Sequence, residues 1–284
     1  MIPFGDFEDK FRKLDKSKIV IQPVPYDKTS TWLKGADKGP EALLEASINL
    51  ELYDIETGFE VYKHGIYTAM SVVEDNTPEE MVESVYEAVI KWLNMNKFVV
   101  TLGGEHSVSI GAFKAFAEKF QNLTILQIDA HGDLRNMYHG SPFNHACVMA
   151  RARELCPIIQ VGIRAIDIEE IAYINQERIF YAENIYDNNL WIDKLCSLLT
   201  ENVYITIDLD GFDPAVISAT GTPEPGGLSW YQVLKLIKAV TQKSNLVGFD
   251  VVELCPNENN KVSEFVAAKL VYKILSYKFL NFQK

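Results

Sequence analysis

The chain has 284 residues, of which 48% are hydrophobic and 23% are charged, a composition typical of a soluble globular protein. Its formal net charge of -12 disfavours nucleic acid or an anionic membrane as a partner, and it is compatible with a small cationic ligand. Residues 1–10 lack the apolar stretch of a signal peptide, and no segment approaches the ~20 apolar residues of a membrane span. The four cysteines show no Cys-x-x-Cys spacing, so we expect reduced thiols and a cytoplasmic location.

Short β-rich runs alternate with amphipathic segments along the chain. The pattern predicts strands at residues 18–24, 98–102, 124–128, 158–161, 179–182, 203–207 and 246–252. It predicts helices at residues 77–94, 108–120, 146–155, 168–175, 190–199, 230–241 and 264–279. Because parallel strands need crossover connections, roughly eight strands separated by helices imply a parallel α/β sheet. The pattern alone is compatible with an open doubly wound sheet or a closed barrel, and both place ligands at the carboxyl ends of strands. We find no linker and expect one domain spanning residues 1–284.

Three segments carry carboxylates and histidines at alternating positions just as a buried run ends: residues 103–107, 129–133 and 208–210. Side chains two residues apart on a strand point to the same side, so those of each segment can converge. Any one of them could be a turn residue, but uncompensated buried carboxylates are costly, and clustered acids and histidines are typical of a metal site. The candidate ligands are His106, Asp129, His131, Asp133, Asp208 and Asp210.

Four ionised aspartates would be neutralised by two divalent cations. A ligand set that is mostly oxygen, with one imidazole for each ion, favours Mn²⁺ over Zn²⁺, and Fe²⁺ or Co²⁺ would also fit. We therefore expect two Mn²⁺ in the protein. Two metal ions close together activate water for hydrolysis, so the pattern predicts a hydrolase.

These motifs resemble the ureohydrolase family of arginases and agmatinases, and the resemblance covers nearly the whole chain. The matching motifs are Gly-Gly-Glu-His-Ser at 103–107, Asp-Ala-His-Gly-Asp at 129–133, Asp-Leu-Asp-Gly-Phe-Asp-Pro at 208–214, Ala-Thr-Gly-Thr-Pro at 219–223 and Asp-Val-Val-Glu at 250–253. The resemblance implies a three-layer αβα sandwich with an open, mostly parallel eight-stranded sheet and two Mn²⁺. It implies a trimeric or hexameric homo-oligomer. Glu105 stands where many relatives have Asp, and Leu44 stands where Arg is common, which puts a packing or subunit contact in doubt.

The resemblance also assigns the ligands to two ions. His106, Asp129, Asp133 and Asp208 would bind one ion. His131, Asp129, Asp208 and Asp210 would bind the other, with Asp129 and Asp208 bridging the two.

Two further residues are candidates for catalysis. His145 lies in a loop about to enter a helix, and the resemblance places the proton-relay histidine of the family there. An imidazole with a near-neutral pKa suits proton transfer, although local hydrogen bonding at a helix start is the alternative. Glu253 follows the last strand, where the resemblance suggests that it holds a substrate guanidinium through charge-assisted hydrogen bonds. Thr222 would help to orient that group.

The substrate is expected to be a small cationic guanidino compound. Arginases carry an Ile-Asn pair after the Asp-x-His-x-Asp motif, whereas this chain has Leu134 and Arg135. The segments 145–149 and 162–164 look more like agmatinase, so we predict hydrolysis of agmatine to putrescine and urea, a step of polyamine biosynthesis. Arginase, guanidinobutyrase and a formimino-amide hydrolase are alternatives within the family. A related single-zinc deacetylase would require a His-His pair that is missing, and a catalytically silent scaffold should have lost a ligand.

Overall fold

The computed structural model describes residues 2–74 and 76–280. Across these residues, eight parallel strands form one sheet in the spatial order β2-β1-β3-β8-β7-β4-β5-β6. The strands are β1 (Ile19–Val24), β2 (Ile66–Thr68), β3 (Phe98–Gly103), β4 (Leu123–Ile128), β5 (Ile158–Ile163), β6 (Ile179–Tyr181), β7 (Asn202–Asp208) and β8 (Asn245–Val252). Since β2 and β6 are the two edges, the sheet is open rather than closed into a barrel, as the resemblance implied.

Helices cover both faces of the sheet. They are α1 (Gly39–Ser47), α2 (Pro78–Asn94), α3 (Ser109–Lys119), α4 (Val148–Leu155), α5 (Ala182–Ile185), α6 (Leu190–Leu198), α7 (Trp230–Lys243) and α8 (Val262–Leu280). One hydrophobic cluster joins one face to α1, α6, α7 and α8, and a second joins the opposite face to α2, α3 and α4. Alternate residues of β1 divide between them: Ile19 and Ile21 lie in the first cluster and Val20 in the second. The result is the predicted αβα sandwich.

Local sequence fixes where the helices begin. The Thr77 hydroxyl accepts the backbone N–H of Glu80 at 3.2 Å, and Pro78 occupies the first helical position of α2. Ser229 and Gln232 form a reciprocal capping box at the start of α7. These caps satisfy backbone donors that have no partner within the helix. Among the described helices, none combines the length and apolarity needed to cross a bilayer.

In the part of the chain that it describes, the structure adds β2, α1, α5 and several short 3₁₀ helices that the sequence pattern did not predict, and it changes one predicted helix. Strand β2 has only three residues, too few to show alternation, and α1 begins at a Gly-Pro pair that reads as a turn. Leu44, the departure from the family pattern, is buried in α1. Residues 168–175 were predicted as a helix, but Ile168–Tyr173 is a 3₁₀ helix. This tightly wound helix begins with a capping box formed by Asp167 and Glu170, in which the Glu170 carboxylate accepts the N–H of Asp167.

The strand order decides where the site lies. Strands β3, β8, β7 and β4 are consecutive at the centre of the sheet, although they are far apart in the chain. Because all strands are parallel, their carboxyl ends share one edge. The segments that follow these four strands are therefore brought side by side.

A buried ion-pair network attaches the 54–59 turn to α8. The Lys273 ammonium lies 3.0 Å from a carboxylate oxygen of Asp54 and 2.6 Å from one of Glu56. The Tyr277 hydroxyl also donates to Glu56 at 2.6 Å. Lys273 is buried on an otherwise apolar stretch of helix, so its charge depends on these two partners.

We expect Lys273→Met to lower the free energy of unfolding by about 3 kcal/mol, because it leaves the buried Asp54 carboxylate without its cation. Lys269→Met, on the same helix, is the matched control, since the Lys269 ammonium donates to the Glu51 carbonyl at an exposed position and lies over the Tyr272 ring, where it compensates no buried carboxylate. It should change stability by at most about 0.5 kcal/mol. Urea unfolding followed by circular dichroism measures both variants, and equal losses would contradict the role of the network.

Candidate metal centre

A glycine turn delivers the first histidine to the carboxyl edge of the sheet. A Cβ atom at Gly104 would overlap the backbone carbonyl of Tyr26, so only glycine allows this close approach. The Gly104 N–H donates to the Val24 carbonyl at 2.8 Å, which holds the turn against β1. The chain then enters the 3₁₀ helix His106–Val108, and the His106 side chain is buried at the sheet edge.

Asp129, directly after β4, lies between two histidines. Its Oδ2 atom is 3.1 Å from His106 Nδ1, and its Oδ1 atom is 3.6 Å from His131 Nδ1. His106 Nδ1 is also 3.3 Å from Asp208 Oδ2, and His131 Nδ1 is 3.0 Å from Asp210 Oδ2. The side chains thus form two potential metal-binding groups, His106–Asp129–Asp208 and Asp129–His131–Asp210, which share the Asp129 carboxylate.

Asp133 adds a further carboxylate to the first group. Its Oδ2 atom is 3.1 Å from His106 Nδ1, and its backbone adopts a left-handed conformation with φ of 52°. This conformation is uncommon for a residue other than glycine and tends to occur at functional sites. The structure therefore brings together all six predicted ligands. Asp208 is grouped only with the first histidine, while its Oδ1 atom accepts the N–H of Asp210 at 2.9 Å, so bridging by Asp208 stays a prediction.

The electrostatics of the cluster require positive charge. Burial, followed by the charges of Asp210 and Asp129, raises the pKa of Asp208 well above its ordinary value. Burial and the charge of Asp129 raise the pKa of Asp133 to about 7. His106 Nδ1 is buried and makes no well-directed hydrogen bond, although three carboxylate oxygens surround it. An imidazole nitrogen and several carboxylates facing one volume suit a divalent cation, so these residues fit a metal pair.

Hydrogen bonds behind His106 select its tautomer. Its Nε2 atom is 2.9 Å from the Thr206 hydroxyl, which itself donates to Asp250 Oδ1 at 2.6 Å. Because the single Thr206 proton goes to Asp250, the Thr206 oxygen accepts from Nε2–H. The Nδ1 lone pair of His106 then faces the carboxylates. Tyr204 donates to the second Asp250 oxygen at 2.8 Å, which completes the chain of hydrogen bonds.

A second chain of hydrogen bonds orients the shared carboxylate. Gln127 Nε2 donates to Asp129 Oδ2 at 2.8 Å, and Gln160 Nε2 donates to Gln127 Oε1 at 2.7 Å. Sequence reasoning missed Gln127 and Thr206. Each lies two residues before a predicted ligand on a buried strand, so a polar residue at that spacing was the available signal.

Arg164 is a further residue that the sequence did not single out as part of the site. Its guanidinium donates to the backbone carbonyls of Asp210 and Glu224, both at 2.7 Å, and to that of Gly162 at 3.0 Å. One side chain thus connects the end of β5 to the loop that carries Asp210 and Thr222. This contact fixes the loop relative to the sheet edge.

His145 lies at the start of a 3₁₀ helix, His145–Cys147, after the capping residue Asn144. Its Nδ1 atom is 3.3 Å from the Thr29 hydroxyl, which also accepts the His145 backbone N–H at 2.9 Å. Burial lowers the pKa of His145 to about 4, although a hydrogen bond to the Thr29 backbone opposes this shift. The side chain is thus mostly enclosed and anchored on one edge of its ring.

Glu253 is buried, unlike a solvated loop acid. Its backbone φ of 63° turns the side chain back under the sheet edge, where Oε1 accepts the N–H of His106 at 2.7 Å. Burial, then the charge of Glu105, raises the pKa of Glu253 well above its ordinary value. The Thr222 hydroxyl is 3.5 Å from Asp210 Oδ2, which places it beside the second metal-binding group.

Arg135 is fully engaged by neighbouring side chains. Its guanidinium lies 2.7 Å from an oxygen of Asp167 and 3.2 Å from one of Glu169, and it stacks over the ring of Tyr138. Two carboxylates neutralise its charge. The Nε and Nη2 groups of its guanidinium are therefore already paired.

A parallel sheet between two layers of helices, with paired His/Asp groups at its carboxyl edge, is the scaffold of a metal-dependent hydrolase of the ureohydrolase type. The protein-family model with the description Arginase family matches residues 17–276, so the chain belongs to this family. The chain is 42% identical to the N(1)-aminopropylagmatine ureohydrolase of Synechocystis over 91% of this chain and 88% of that protein. It is 37% identical to a protein of the same name from Thermus thermophilus, over 97% of this chain and 95% of that protein.

A solved structure supports the same assignment. The agmatine ureohydrolase of Thermoplasma volcanium superposes with a TM-score of 0.85 at 31% identity, over 95% of this chain and 92% of that one. The resemblance predicted from the sequence motifs is therefore confirmed, including its emphasis on agmatinase-like members of the family.

We expect Thr206→Val to weaken metal binding by roughly tenfold to a hundredfold, the usual effect of removing a hydrogen-bond partner of a metal-binding histidine. The substitution removes the acceptor that fixes the His106 tautomer. Thr206→Ser keeps the hydroxyl and should bind nearly as tightly as the natural protein. Competition of Mn²⁺ against a chelating dye measures the affinities, and equal affinities of the two variants would contradict this role.

Proposed function

We propose that the protein hydrolyses the guanidino group of agmatine, or of a closely related guanidino amine, at a pair of divalent cations. The shared Asp129 carboxylate, with one histidine on each side, is the observation that carries the proposal. The oxygen-rich ligand set supports Mn²⁺, with Fe²⁺ or Co²⁺ as alternatives. Of the predicted ligands, Asp129 would bind the first ion together with His106, Asp133 and Asp208. His131 and Asp210 would bind the second ion, and Asp129 and Asp208 would be shared by both ions.

When bound, two divalent cations supply activation of water near neutral pH and stabilisation of developing negative charge. The side chains of this chain would do the remaining work. Glu253, buried beside His106, would hold the guanidinium through charge-assisted hydrogen bonds, and the substrate cation would compensate its buried charge. Thr222 would contact the same end of the substrate. This arrangement directs the guanidino carbon towards the metal pair.

His145 would carry a proton from the attacking water to the departing amine, because its pKa of about 4 leaves the imidazole neutral near pH 7 and able to accept that proton first. Water adds to the guanidino carbon, the bond from that carbon to the alkyl nitrogen breaks, and the nitrogen leaves as an amine only after gaining a proton. The products are urea and the amine. His145 suits this role because Thr29 holds its Nδ1 edge, which leaves Nε2 as the edge that can exchange a proton.

The state of Arg135 supports an amine rather than an amino acid as substrate. A substrate with an α-carboxylate would need a free donor near the site, but Asp167 and Glu169 already pair with the Arg135 guanidinium. The net charge of -12 also favours a cationic molecule. Agmatine meets both conditions, and its products are putrescine and urea.

N(1)-aminopropylagmatine is the second candidate, and the identities favour it. Two relatives named for hydrolysis of this compound are 42% and 37% identical to the chain, above the 31% of the Thermoplasma agmatine ureohydrolase. The two candidates share the guanidino group and differ by one cationic arm. Either substrate would give the chain a role in polyamine biosynthesis.

Urea release from four compounds tests the proposed function. Purified protein loaded with Mn²⁺ is assayed with agmatine, N(1)-aminopropylagmatine, arginine and 4-guanidinobutyrate, and kcat/KM is compared. Either of the first two should exceed both acids by at least about a hundredfold, or ~2.7 kcal/mol of transition-state stabilisation. A preference for arginine would refute the proposal, and no urea from any compound together with no bound metal would indicate a silent scaffold.

Removal of the shared Asp129 carboxylate should lower both kcat and the amount of bound metal, and more strongly than the other substitutions. We expect Asp129→Ala to hold at most one equivalent of metal and to lose at least about a thousandfold in kcat, since metal ions supply several kcal/mol of stabilisation. Asp15→Ala is the control, because this exposed aspartate lies in the segment before β1, away from the carboxyl edge of the sheet. Elemental analysis and the urea assay measure both. Retained turnover after substitution of Asp129 would contradict its bridging role.

Substitution of the proton-transfer residue should separate chemistry from metal binding. We expect His145→Ala to lower kcat by about a hundredfold, the usual contribution of general acid catalysis, while both metal equivalents remain bound. His139→Asn, at a left-handed loop position that asparagine tolerates, is the control and should keep its activity. Loss of metal from the His145 variant would show instead that this imidazole is a ligand.

We further propose a homo-oligomer of three or six subunits and a cytoplasmic location. The four cysteines are free thiols, as a reducing compartment would maintain them. All candidate site residues come from one edge of one sheet, which supports a single domain across residues 1–284. Mass photometry of the purified protein measures the subunit number.

A further inference from the structure

We propose that Thr29 is a positioning residue for catalysis, and that its hydroxyl sets the orientation of the His145 ring. The inference rests on the proposed role of His145 in proton transfer. Thr29 lies in the loop that follows β1, 116 residues before His145 in the chain. No sequence motif associates the two residues, and only the fold brings them into contact.

Thr29 contacts both the backbone and the ring of His145. Its hydroxyl oxygen accepts the His145 backbone N–H at 2.9 Å and lies 3.3 Å from ring Nδ1. With the main chain and the Nδ1 edge both held, rotation of the ring is restricted. Across residues 2–74 and 76–280, no hydrogen bond is made to His145 Nε2.

The Thr29 side chain also acts on the buried Glu105 carboxylate, which already accepts the Ser107 hydroxyl at 2.7 Å and the Ser107 N–H at 3.1 Å. In the proposed arrangement, the single proton of the Thr29 hydroxyl is directed to Glu105, and its oxygen is left as an acceptor. The His145 Nδ1 atom must then carry a hydrogen when it faces Thr29. In the neutral ring this leaves the lone pair on Nε2.

The loop that carries Thr29 is itself held in place. The Asp27 carboxylate accepts the backbone N–H groups of Gly35 at 2.7 Å and Ala36 at 3.1 Å. These bonds tie the two ends of the loop together, so Thr29 is presented from a constrained backbone. A hydroxyl held in this way can fix the orientation of the imidazole without contacting the substrate.

The other neighbours of His145 do not fix its ring in this way. The Tyr138 and His145 rings are nearly perpendicular at a centroid distance of 6.0 Å, a contact without a directed hydrogen bond. Lys34, on the Thr29 loop, acts on His145 through its charge. This long-range force does not select one ring edge. Thr29 is the residue that distinguishes Nδ1 from Nε2.

A double-mutant cycle tests the inference. Thr29→Val, which keeps the shape but removes the hydroxyl, and Thr29→Ser, which keeps the hydroxyl, are each made in the natural chain and in the His145→Ala variant. The full-length protein is loaded with Mn²⁺, and kcat, KM, bound metal and thermal unfolding are measured with the better of the two amine substrates. A residue that acts through His145 has no effect once His145 is removed.

Thr29→Val is expected to lower kcat by about tenfold, part of the contribution of a general acid, with KM within about threefold and two metal equivalents retained. Thr29→Ser should restore kcat to within about threefold of the natural protein. In the His145→Ala background, Thr29→Val should leave kcat unchanged. If Thr29→Val lowers the unfolding temperature, Thr29→Ala is put through the same cycle.

Three results would overturn the inference. They are an unchanged kcat in Thr29→Val, an equal loss in both backgrounds, or a loss of metal. Failure of the proposed function has a different signature. If His145→Ala alone turns over normally, the role of His145 in proton transfer is wrong. If His145→Ala is slow while Thr29→Val is not, only the role of Thr29 is wrong.

Discussion

The concentration of carboxylates at the carboxyl edge of the sheet is the constraint on which the rest of the structure depends. Asp129, Asp133, Asp208 and Asp210 are all buried within a few ångströms of two histidines. Burial and mutual repulsion raise the pKa of Asp208 well above its ordinary value. No arrangement of neutral hydrogen bonds compensates so much negative charge in one volume, whereas two divalent cations would.

The fold supplies the rigidity that such a cluster needs. The ligands follow three strands of a parallel sheet that is covered on both faces by helices, so their backbone positions are set by packing on two hydrophobic clusters. Outside this frame, polar side chains set the finer orientation. Thr206 with Asp250 holds His106, and Gln127 with Gln160 holds Asp129. Left-handed backbone at Asp133 and Glu253 turns these two carboxyl groups into the site.

The residues proposed to bind substrate and to transfer a proton lie on separate loops around the predicted metal ligands. Glu253 is coupled to the metal-binding group directly, because its carboxylate accepts the backbone N–H of His106. His145 is coupled less directly, through Thr29 and Glu105. Arg164 joins the loop of Asp210 and Thr222 to the sheet by its contacts with backbone carbonyls. Residues on such loops can differ between proteins of one fold while the ligands stay the same, so one fold can serve several substrates.

The sequence by itself determined much of the fold. Short β-rich runs located seven of the strands, and apolar residues at helical spacing located most of the α-helices. Acids and histidines at alternating positions after buried runs identified the six candidate ligands. It did not reveal β2 or α1, because three residues cannot show a period and a Gly-Pro pair reads as a turn. It also predicted a helix at residues 168–175, where a capping box holds a 3₁₀ helix instead.

Only the tertiary structure decided which strands are neighbours. The order β3-β8-β7-β4 places Glu253 beside His106, and Asp208 beside Asp129, although each pair is widely separated in the chain. It also placed Thr29 against His145 and paired Thr206 with Asp250. The spacing of apolar residues indicates which face of a strand or helix a side chain lies on, because that face is a local property of the backbone. Contacts between distant segments depend on the packing of helices on both faces of the sheet, which no local pattern encodes.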